Sequence, residues 1–234
     1  MIAQYCPGLQ LGFTEYNWGD EDQLNGATTQ ADVLGIYGRE NLDYATRWTV
    51  ATHKDDNTGV ITYYPTYLAS QIYRNYDGNK STFGDTSVSA NVAEPDNLSA
   101  FASVRTSDGA LTVMVINKQQ GSTPINVSLA NFSSAGTAQV WQINSASQTS
   151  ITHLSDIAIS HNNITATVPS QSITLFVVPA GSTLSQPSAP TGLSAVVNDG
   201  QATLTWIASG GATTYTVKRA TVSGGPYTTI GTIT

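Results

Sequence analysis

Charged residues are scarce in this chain of 234 residues. They make up only 11% of the sequence, and 16 acidic residues outnumber 9 basic ones, which leaves a net charge of −7. Because nucleic-acid binding needs a basic surface that neutralises phosphates, this balance argues against nucleic acid as a partner. No run of about 18 apolar residues occurs, so we expect neither a membrane span nor a membrane partner.

Cysteine is almost absent, since Cys6 is the single one. A disulfide framework within the chain is therefore excluded, and cysteine usage gives no information on the redox compartment. The opening residues, MIAQYCPG, lack the basic and apolar segments of a signal peptide. If the parent protein is exported, we expect its signal to lie upstream. The polar surface must come mainly from Thr, Ser, Asn, Gln and Gly, which favours secreted all-β and carbohydrate-active proteins.

The first 78 residues alternate between strand-like and helix-like patterns. The segments 9–15 (LQLGFTE) and 43–51 (DYATRWTVA) predict short buried strands. Helices are predicted over 23–41 and 65–76, and small residues in the first helix suggest close packing on a sheet. The helical spacing in the first of them is carried by Leu24, Ala27, Ala31, Leu34 and Gly38. The order strand, helix, strand, helix predicts a parallel sheet with crossover connections.

Residues 79–180 are dense in short β-rich segments separated by turn signals. The segments are LSAFASVRT, ALTVMVINK, INVSLANF, GTAQVWQIN, NITATVP and SITLFVVPA. With no helical spacing among them, they predict an antiparallel β-sandwich. Residues 181–190 are rich in Ser and Pro and predict a linker.

Residues 191–234 contain four predicted strands, TGLSAVV, QATLTWIA, TTYTVKRA and YTTIGTI. The segments PSAPTGL, ATLTW, YTVKR and GGPY resemble the beginning of a fibronectin type III domain, over roughly residues 188–234. Such a domain needs about seven strands, so the resemblance implies a truncated one. Two strand–helix units are likewise too few to close a barrel. We therefore expect a segment of a longer protein, whose unpaired β edges favour self-association.

Glu15 stands out because it ends an apolar strand, in the motif TEYNWG (14–19). A lone glutamate at a strand end is most often a surface carboxylate, but barrel enzymes keep their catalysts at the carboxyl ends of strands. Tyr16, Asn17 and Trp18 follow it directly, and their aromatic and amide groups suit a sugar. Tyr16 is also a candidate to hydrogen-bond Glu15 and orient it.

The segments TEYNWG, LNGATTQADVLGIYGRE and ATRW together resemble the end of the barrel in glycoside hydrolase family 44, and YRNYDG and PSQSITLFVV fit the same family. The resemblance covers residues 1–180. It implies a retaining endo-β-1,4-glucanase that acts on xyloglucan or a related plant β-glucan outside the cell, without a cofactor. It also implies that Glu15 is the nucleophile at the end of barrel strand seven. The acid/base of the family is a glutamate on strand four, which we expect to be absent from these residues.

The tryptophans have two interpretations each. Trp18 and Trp48 are candidate platforms for a sugar ring, whose apolar face pairs with a large aromatic face, and core positions are the alternative. Trp141 and Trp206 lie in alternating strand patterns and are predicted to belong to sandwich cores. Arg47, which directly precedes Trp48, is expected to pair with a neighbouring carboxylate.

No metal site is predicted. The cluster Asp20, Glu21 and Asp22 offers oxygen ligands that suit calcium, but its spacing matches no calcium loop. His153 and His161 are eight residues apart without a second pair, which indicates surface positions rather than a zinc site. The segment 53–56 (HKDD) predicts a solvated loop after the second strand, and its Asp55 is the nearest alternative acid for Glu15.

The expected fold is therefore mixed. We expect the end of a (β/α)₈ barrel over 1–78, a β-sandwich over 79–180, a linker, and a partial fibronectin type III-like domain over 191–234. Two functions stay open: a glucanase fragment that carries its nucleophile, and a non-catalytic accessory module that binds or spaces carbohydrate. The preferred polysaccharide, the oligomeric state and activity of the chain by itself stay open as well.

Overall fold

A computed structural model describes residues 8–134, 136–181, 189–209, 212 and 214–233. The chain divides into two units, Met1–Gly181 and Ser182–Thr234. Most of the predicted linker lies outside the described residues, as does Cys6. Neither of the described helices is long and apolar enough to cross a membrane.

The first unit begins with two strand–helix pairs. They are β1 (Gly12–Tyr16), α1 (Leu24–Arg39), β2 (Tyr44–Arg47) and α2 (Pro65–Arg74). The two strands pair in parallel, with Gly12 opposite Tyr44 and Tyr16 opposite Arg47. The predicted element order and parallel pairing are present. Closure into a barrel stays a prediction, because two strands do not make one.

A hairpin that the sequence did not indicate follows β2. In it, β3 (Thr52–Lys54) pairs antiparallel with β4 (Ile61–Tyr63). His53 and Lys54, expected in a loop, lie in β3, while Asp55 and Asp56 lie in the turn. Each strand has only three residues, which is too short for alternation to be visible in the sequence.

Eight strands form two antiparallel sheets after the helices. Six make one sheet, in the order β10-β9-β12-β7-β6-β5, and two make the other, β11-β8. Their bounds are β5 (Thr86–Val88), β6 (Leu98–Val104), β7 (Leu111–Asn117), β8 (Thr123–Ser128), β9 (Thr137–Ile143), β10 (Thr152–Ala158), β11 (Asn163–Val168) and β12 (Ser172–Val178). All but β5 and β10 match predicted segments. No helix lies among the described residues from 79 to 181.

The six-stranded sheet is covered on both faces. Every residue of β7 and β12 is buried. On one face a core cluster joins the helices to the sheet and includes Ile72 and Met114. On the other face a second cluster joins the sheet to β8 and β11 and includes Ile164 and Phe176. The first unit is therefore built of three layers: a helix pair, the large sheet and the small sheet.

Small residues allow α1 to approach the large sheet closely. Ala27, Ala31 and Gly35 are all buried. A Cβ atom on Gly35 would lie 2.2 Å from the ring of Phe101 in β6, so only glycine fits there. The predicted packing on a sheet is present, although the sheet is that of the sandwich. Gly38, placed on this face by its spacing, is exposed.

The prediction that β1 and β2 are buried strands is wrong. Phe13 is 50% exposed and Tyr44 is 53% exposed. Burial on both faces requires cover on both faces, as β7 and β12 have. Among the described residues β1 and β2 form a sheet of their own, and the helices direct their apolar faces to the sandwich.

Trp141 lies at the margin of the sandwich rather than in its core. It is half-buried against the helix-side cluster, and its ring stacks on His153 with centroids 4.2 Å apart. His153 pairs with Asp156, and His161 bonds Ser160, so both histidines lie on the surface as predicted. Within the described residues no group of three or more His, Cys, Asp or Glu is placed to hold a metal.

The second unit contains two hairpins. They pair β13 (Thr191–Asn198) with β14 (Gln201–Ile207), and β15 (Tyr215–Arg219) with β16 (Thr228–Ile233). The four predicted strands are thus present, while the fibronectin type III assignment stays a prediction. None of the described residues of this unit is buried. Trp206, predicted to be core, is half-buried beside Tyr215.

Candidate active site

The register of β1 and β2 brings the sequence-predicted site residues to one end of the parallel pair. Tyr16 lies opposite Arg47, and the Trp48 amide donates to the Tyr16 carbonyl at 3.0 Å. Since both strands run in the same direction, their carboxyl ends meet at one edge. Glu15, Trp18 and Trp48 therefore extend from the same edge.

Glu15 has an unusual backbone conformation. Its φ is 57°, in the left-handed region that non-glycine residues rarely adopt. The register between β1 and β2 also shifts between Phe13 and Tyr16. The Glu15 amide lies 3.4 Å from Thr46 Oγ1, and no described residue hydrogen-bonds its carboxylate. Such strain persists only where surrounding contacts impose it, and it is concentrated at functional sites.

Tyr16 faces helix α1. Its hydroxyl accepts a hydrogen bond from Gln30 Nε2 at 3.0 Å, and its ring meets Tyr37 edge-on at 5.6 Å. Tyr16 therefore makes no hydrogen bond with Glu15, unlike the hypothesis from sequence. Gln30 is only 1% exposed. Sequence reasoning missed it, although an amide among the apolar spacing of α1 was a visible signal.

Asn17 and Arg47 are joined by Glu21. Asn17 Nδ2 donates to Glu21 Oε1 at 2.8 Å, and Arg47 Nη2 lies 3.4 Å from the same oxygen. The Asn17 amide is the main reason that the pKa of Glu21 lies below its usual range, and the backbone amide of Glu21 and then the Arg47 guanidinium lower it further. The predicted pairing of Arg47 with a carboxylate is confirmed. The sugar contact predicted for Asn17 stays a prediction, because its side chain already serves this network.

The acidic cluster does not assemble a calcium site among the described residues. Glu21 is engaged by Asn17 and Arg47, and Asp20 accepts a hydrogen bond from Asn25 at 2.8 Å. These carboxylates therefore serve separate partners. Their role in this structure is to fix the loop between β1 and α1.

Trp48 and Trp18 are both exposed. Trp48 is 59% exposed and Trp18 is 51% exposed, so neither is a core residue among the described contacts. Trp18 lies beside Tyr16, with ring centroids 6.1 Å apart. Two exposed indoles therefore lie at the strand edge that bears Glu15, and their contact with a sugar ring stays a prediction.

Asp55 serves the turn of the β3–β4 hairpin. Its Oδ1 accepts hydrogen bonds from the amides of Thr58 at 2.7 Å and Asn57 at 2.9 Å. The bond from the Thr58 amide is the main reason that the pKa of Asp55 is lowered. A carboxylate kept ionised by its turn is a poor proton donor, which argues against Asp55 as the acid that complements Glu15.

The fold of the chain has counterparts in solved structures. CelM2, a bifunctional glucanase-xylanase from a metagenome library, is 54% identical, with a TM-score of 0.68 over 77% of this chain and 33% of that chain. A Paenibacillus polymyxa xyloglucanase from glycoside hydrolase family 44 is 33% identical, with a TM-score of 0.67 over 76% of this chain and 34% of that chain. The resemblance to family 44 is confirmed.

A curated sequence relative is also named as an endoglucanase. Endoglucanase A of Paenibacillus lautus is 30% identical over 184 residues, which are 78% of this chain and 25% of that protein. No protein-family model matches the sequence. This chain thus spans about a third of its solved family 44 relatives and a quarter of the curated endoglucanase.

Proposed function

We propose that this chain is part of a retaining family 44 β-1,4-glucanase that hydrolyses cellulose- or xyloglucan-type polysaccharide outside the cell, with Glu15 as its nucleophile. The observation that carries the proposal is the position of Glu15. It is an exposed carboxylate at the tip of a parallel strand, and no described residue hydrogen-bonds it. The exposed indoles of Trp18 and Trp48 extend from the same edge.

The proposed reaction assigns separate tasks to two carboxyl groups. Glu15 attacks the anomeric carbon and forms a covalent glycosyl ester, while a second carboxylic acid protonates the leaving oxygen; water then hydrolyses the ester. In retaining enzymes the two groups lie about 5–5.5 Å apart. Asp20, Glu21 and Asp55 are each engaged elsewhere. The proposal therefore requires a partner such as the strand-four glutamate that the resemblance implies.

The proposed domain organisation follows the sequence boundaries. Residues 1–78 would contribute to a (β/α)₈ barrel, 79–180 to the β-sandwich beside it, and 191–234 to a fibronectin type III-like spacer after a linker. The helix–sheet core that joins residues 27–76 to the sandwich supports a sandwich fixed to the catalytic part. Trp18 and Trp48 would stack on sugar rings, with Tyr16 supporting the Trp18 ring.

The deciding experiment replaces Glu15 in the intact gene product. Glu15→Gln keeps the shape of the side chain and removes its nucleophilic charge, so we expect turnover of xyloglucan and soluble β-glucan to fall by more than about a thousandfold. Reducing-end release measures the turnover, and NMR of the first product should show a retained anomeric configuration. The 234-residue chain by itself is expected to release no reducing ends, because Asp20, Glu21 and Asp55 near the strand tips are each engaged elsewhere.

Glu40→Gln is the matched control. Glu40 is also a glutamate near a strand–helix unit, but among the described residues its side chain pairs only with the exposed Arg39. Its replacement should leave turnover unchanged. The proposal fails if the folded Glu15→Gln protein keeps more than about a tenth of wild-type activity, or if the intact product hydrolyses neither glucan.

A further inference from the structure

Arg47 joins the two strand tips through a largely buried guanidinium. Its side chain is only 11% exposed. A buried charge needs hydrogen-bond partners to compensate for lost solvation. The acceptors of the Arg47 guanidinium therefore indicate which segments Arg47 holds in place. It donates from Nη1 to the Thr49 carbonyl at 2.7 Å and from Nη2 to Asn17 Oδ1 at 3.2 Å, besides its contact with Glu21.

These acceptors flank the two exposed tryptophans. Asn17 immediately precedes Trp18, and Thr49 immediately follows Trp48. The same network is anchored to the start of α2, where Thr66 donates its hydroxyl to the Glu21 carbonyl at 2.9 Å. One cation thus fixes the chain next to both indoles, and the helix fixes the far side of the loop.

We propose that Arg47 is a positioning residue for the polysaccharide, because it sets the separation and orientation of the Trp18 and Trp48 indoles. The position of the two indoles then determines how tightly the sugar chain binds. This inference rests on the proposed function. The planar fork of a guanidinium reaches acceptors on separate segments at once, whereas a lysine ammonium is a point charge on a flexible stem. Arg47 contacts no reacting atom, so its loss should weaken substrate binding more than bond cleavage.

The first test does not depend on activity. Hydrogen exchange is measured on the 234-residue chain for Arg47→Lys and Arg47→Met. We expect exchange about tenfold faster or more in residues 16–22 and 48–52, with β7 and β12 unchanged. Arg39→Lys is the control, since Arg39 also pairs with a glutamate at 2.9 Å but is 58% exposed. Asn17→Ala, which removes one acceptor, carries the test if Arg47→Met does not fold.

The second test separates positioning from a merely structural role. In the intact gene product, below its unfolding temperature, Arg47→Lys should raise KM for xyloglucan about tenfold while kcat stays within about twofold. A structural role would lower the melting temperature and the active fraction, which lowers kcat and leaves KM unchanged. Arg39→Lys should change neither constant.

The two tests together decide the inference. Faster exchange at both tips with a raised KM supports it. Unchanged exchange overturns it, as does faster exchange accompanied by a fall in kcat alone or by no kinetic change. A wild-type product that hydrolyses no glucan overturns the proposed function and the substrate role of Arg47. The exchange data then show whether Arg47 still fixes the tips.

Discussion

Two pairs of apolar strands in the first unit differ in burial: β7 and β12 are buried, and β1 and β2 are largely exposed. In β7 and β12 every residue is buried, whereas in β1 only Gly12 and Tyr16 are even partly covered. The strands of the first pair lie between two layers, and those of the second form a sheet of their own. Burial of a strand between two packed layers, rather than its apolar sequence, therefore determines how much the strand contributes to the stability of this unit.

The backbone differs in the same way. The pairing of β12 with β7 is regular from Ser172 to Val178, while that of β1 with β2 shifts just before the strained Glu15. A regular ladder maximises packing and offers no reactive group to solvent. The irregular tip exposes a carboxylate and two indoles, and polar contacts from Gln30 and Arg47 hold the side chains of Tyr16 and Asn17.

The sharpest test of this comparison removes one phenylalanine from each region. Phe176 in β12 is fully buried, and Phe13 in β1 is half exposed and stacks on Tyr37. We expect Phe176→Ala to lower the free energy of unfolding by about 3–5 kcal/mol. Phe13→Ala should lower it by about 1 kcal/mol or less. Urea unfolding followed by circular dichroism measures both, and equal losses would contradict the comparison.

A pair of glycines in α1 tests the contact between the helix layer and the large sheet. A Cβ atom on Gly35 would collide with Phe101, whereas one on Gly38 would meet no atom within 4 Å. Gly35→Ala should therefore destabilise the unit by about 1–3 kcal/mol.

Gly38→Ala is the control for helix propensity. It should stabilise α1 by up to about 1 kcal/mol, since alanine is the better helix former. Thermal unfolding of both variants measures the difference. Stabilisation by both substitutions would mean that the helix does not press on Phe101.

The smallest expected effect is the contribution of Glu21 to the pH dependence of the strand tips. The pKa of Glu21 lies below its ordinary value of 4.5 in the folded chain, chiefly because of the Asn17 amide. Its stabilisation is therefore complete above that value and is lost as the pH falls through the lowered pKa. Below the lowered pKa of Glu21, the free energy of local opening of residues 16–22 should fall by less than about 1 kcal/mol. Hydrogen exchange of these residues measures that change as a loss of protection.

Glu21→Gln is the reference for this effect. Asp77, Asp85 and Asp108 also have lowered pKa values, so acid weakens the sandwich as well. The informative quantity is the difference between wild type and Glu21→Gln in the tips alone. An identical acid response of the two proteins would remove Glu21 as its cause.

Sequence patterns predicted the elements better than their surroundings. The spacing of α1 and the alternation in the sandwich indicated helix and strands because such periods follow from backbone geometry. The β3–β4 hairpin was missed because its strands are too short to show a period. Gln30 was missed because a polar residue on an apolar face acquires its role only from the Tyr16 hydroxyl beside it.

The sequence by itself determined the order of the elements, the lack of any internal disulfide, and the motif that singles out Glu15 and its aromatic neighbours. These are local properties of composition and spacing. Only the tertiary structure decided that α1 packs on the sandwich, that β1 and β2 stay largely exposed, and that Arg47 reaches both tryptophan-bearing loops. The physical reason is that burial and hydrogen-bond partners depend on residues remote in the chain, such as Gly35 with Phe101 and Asn17 with Arg47.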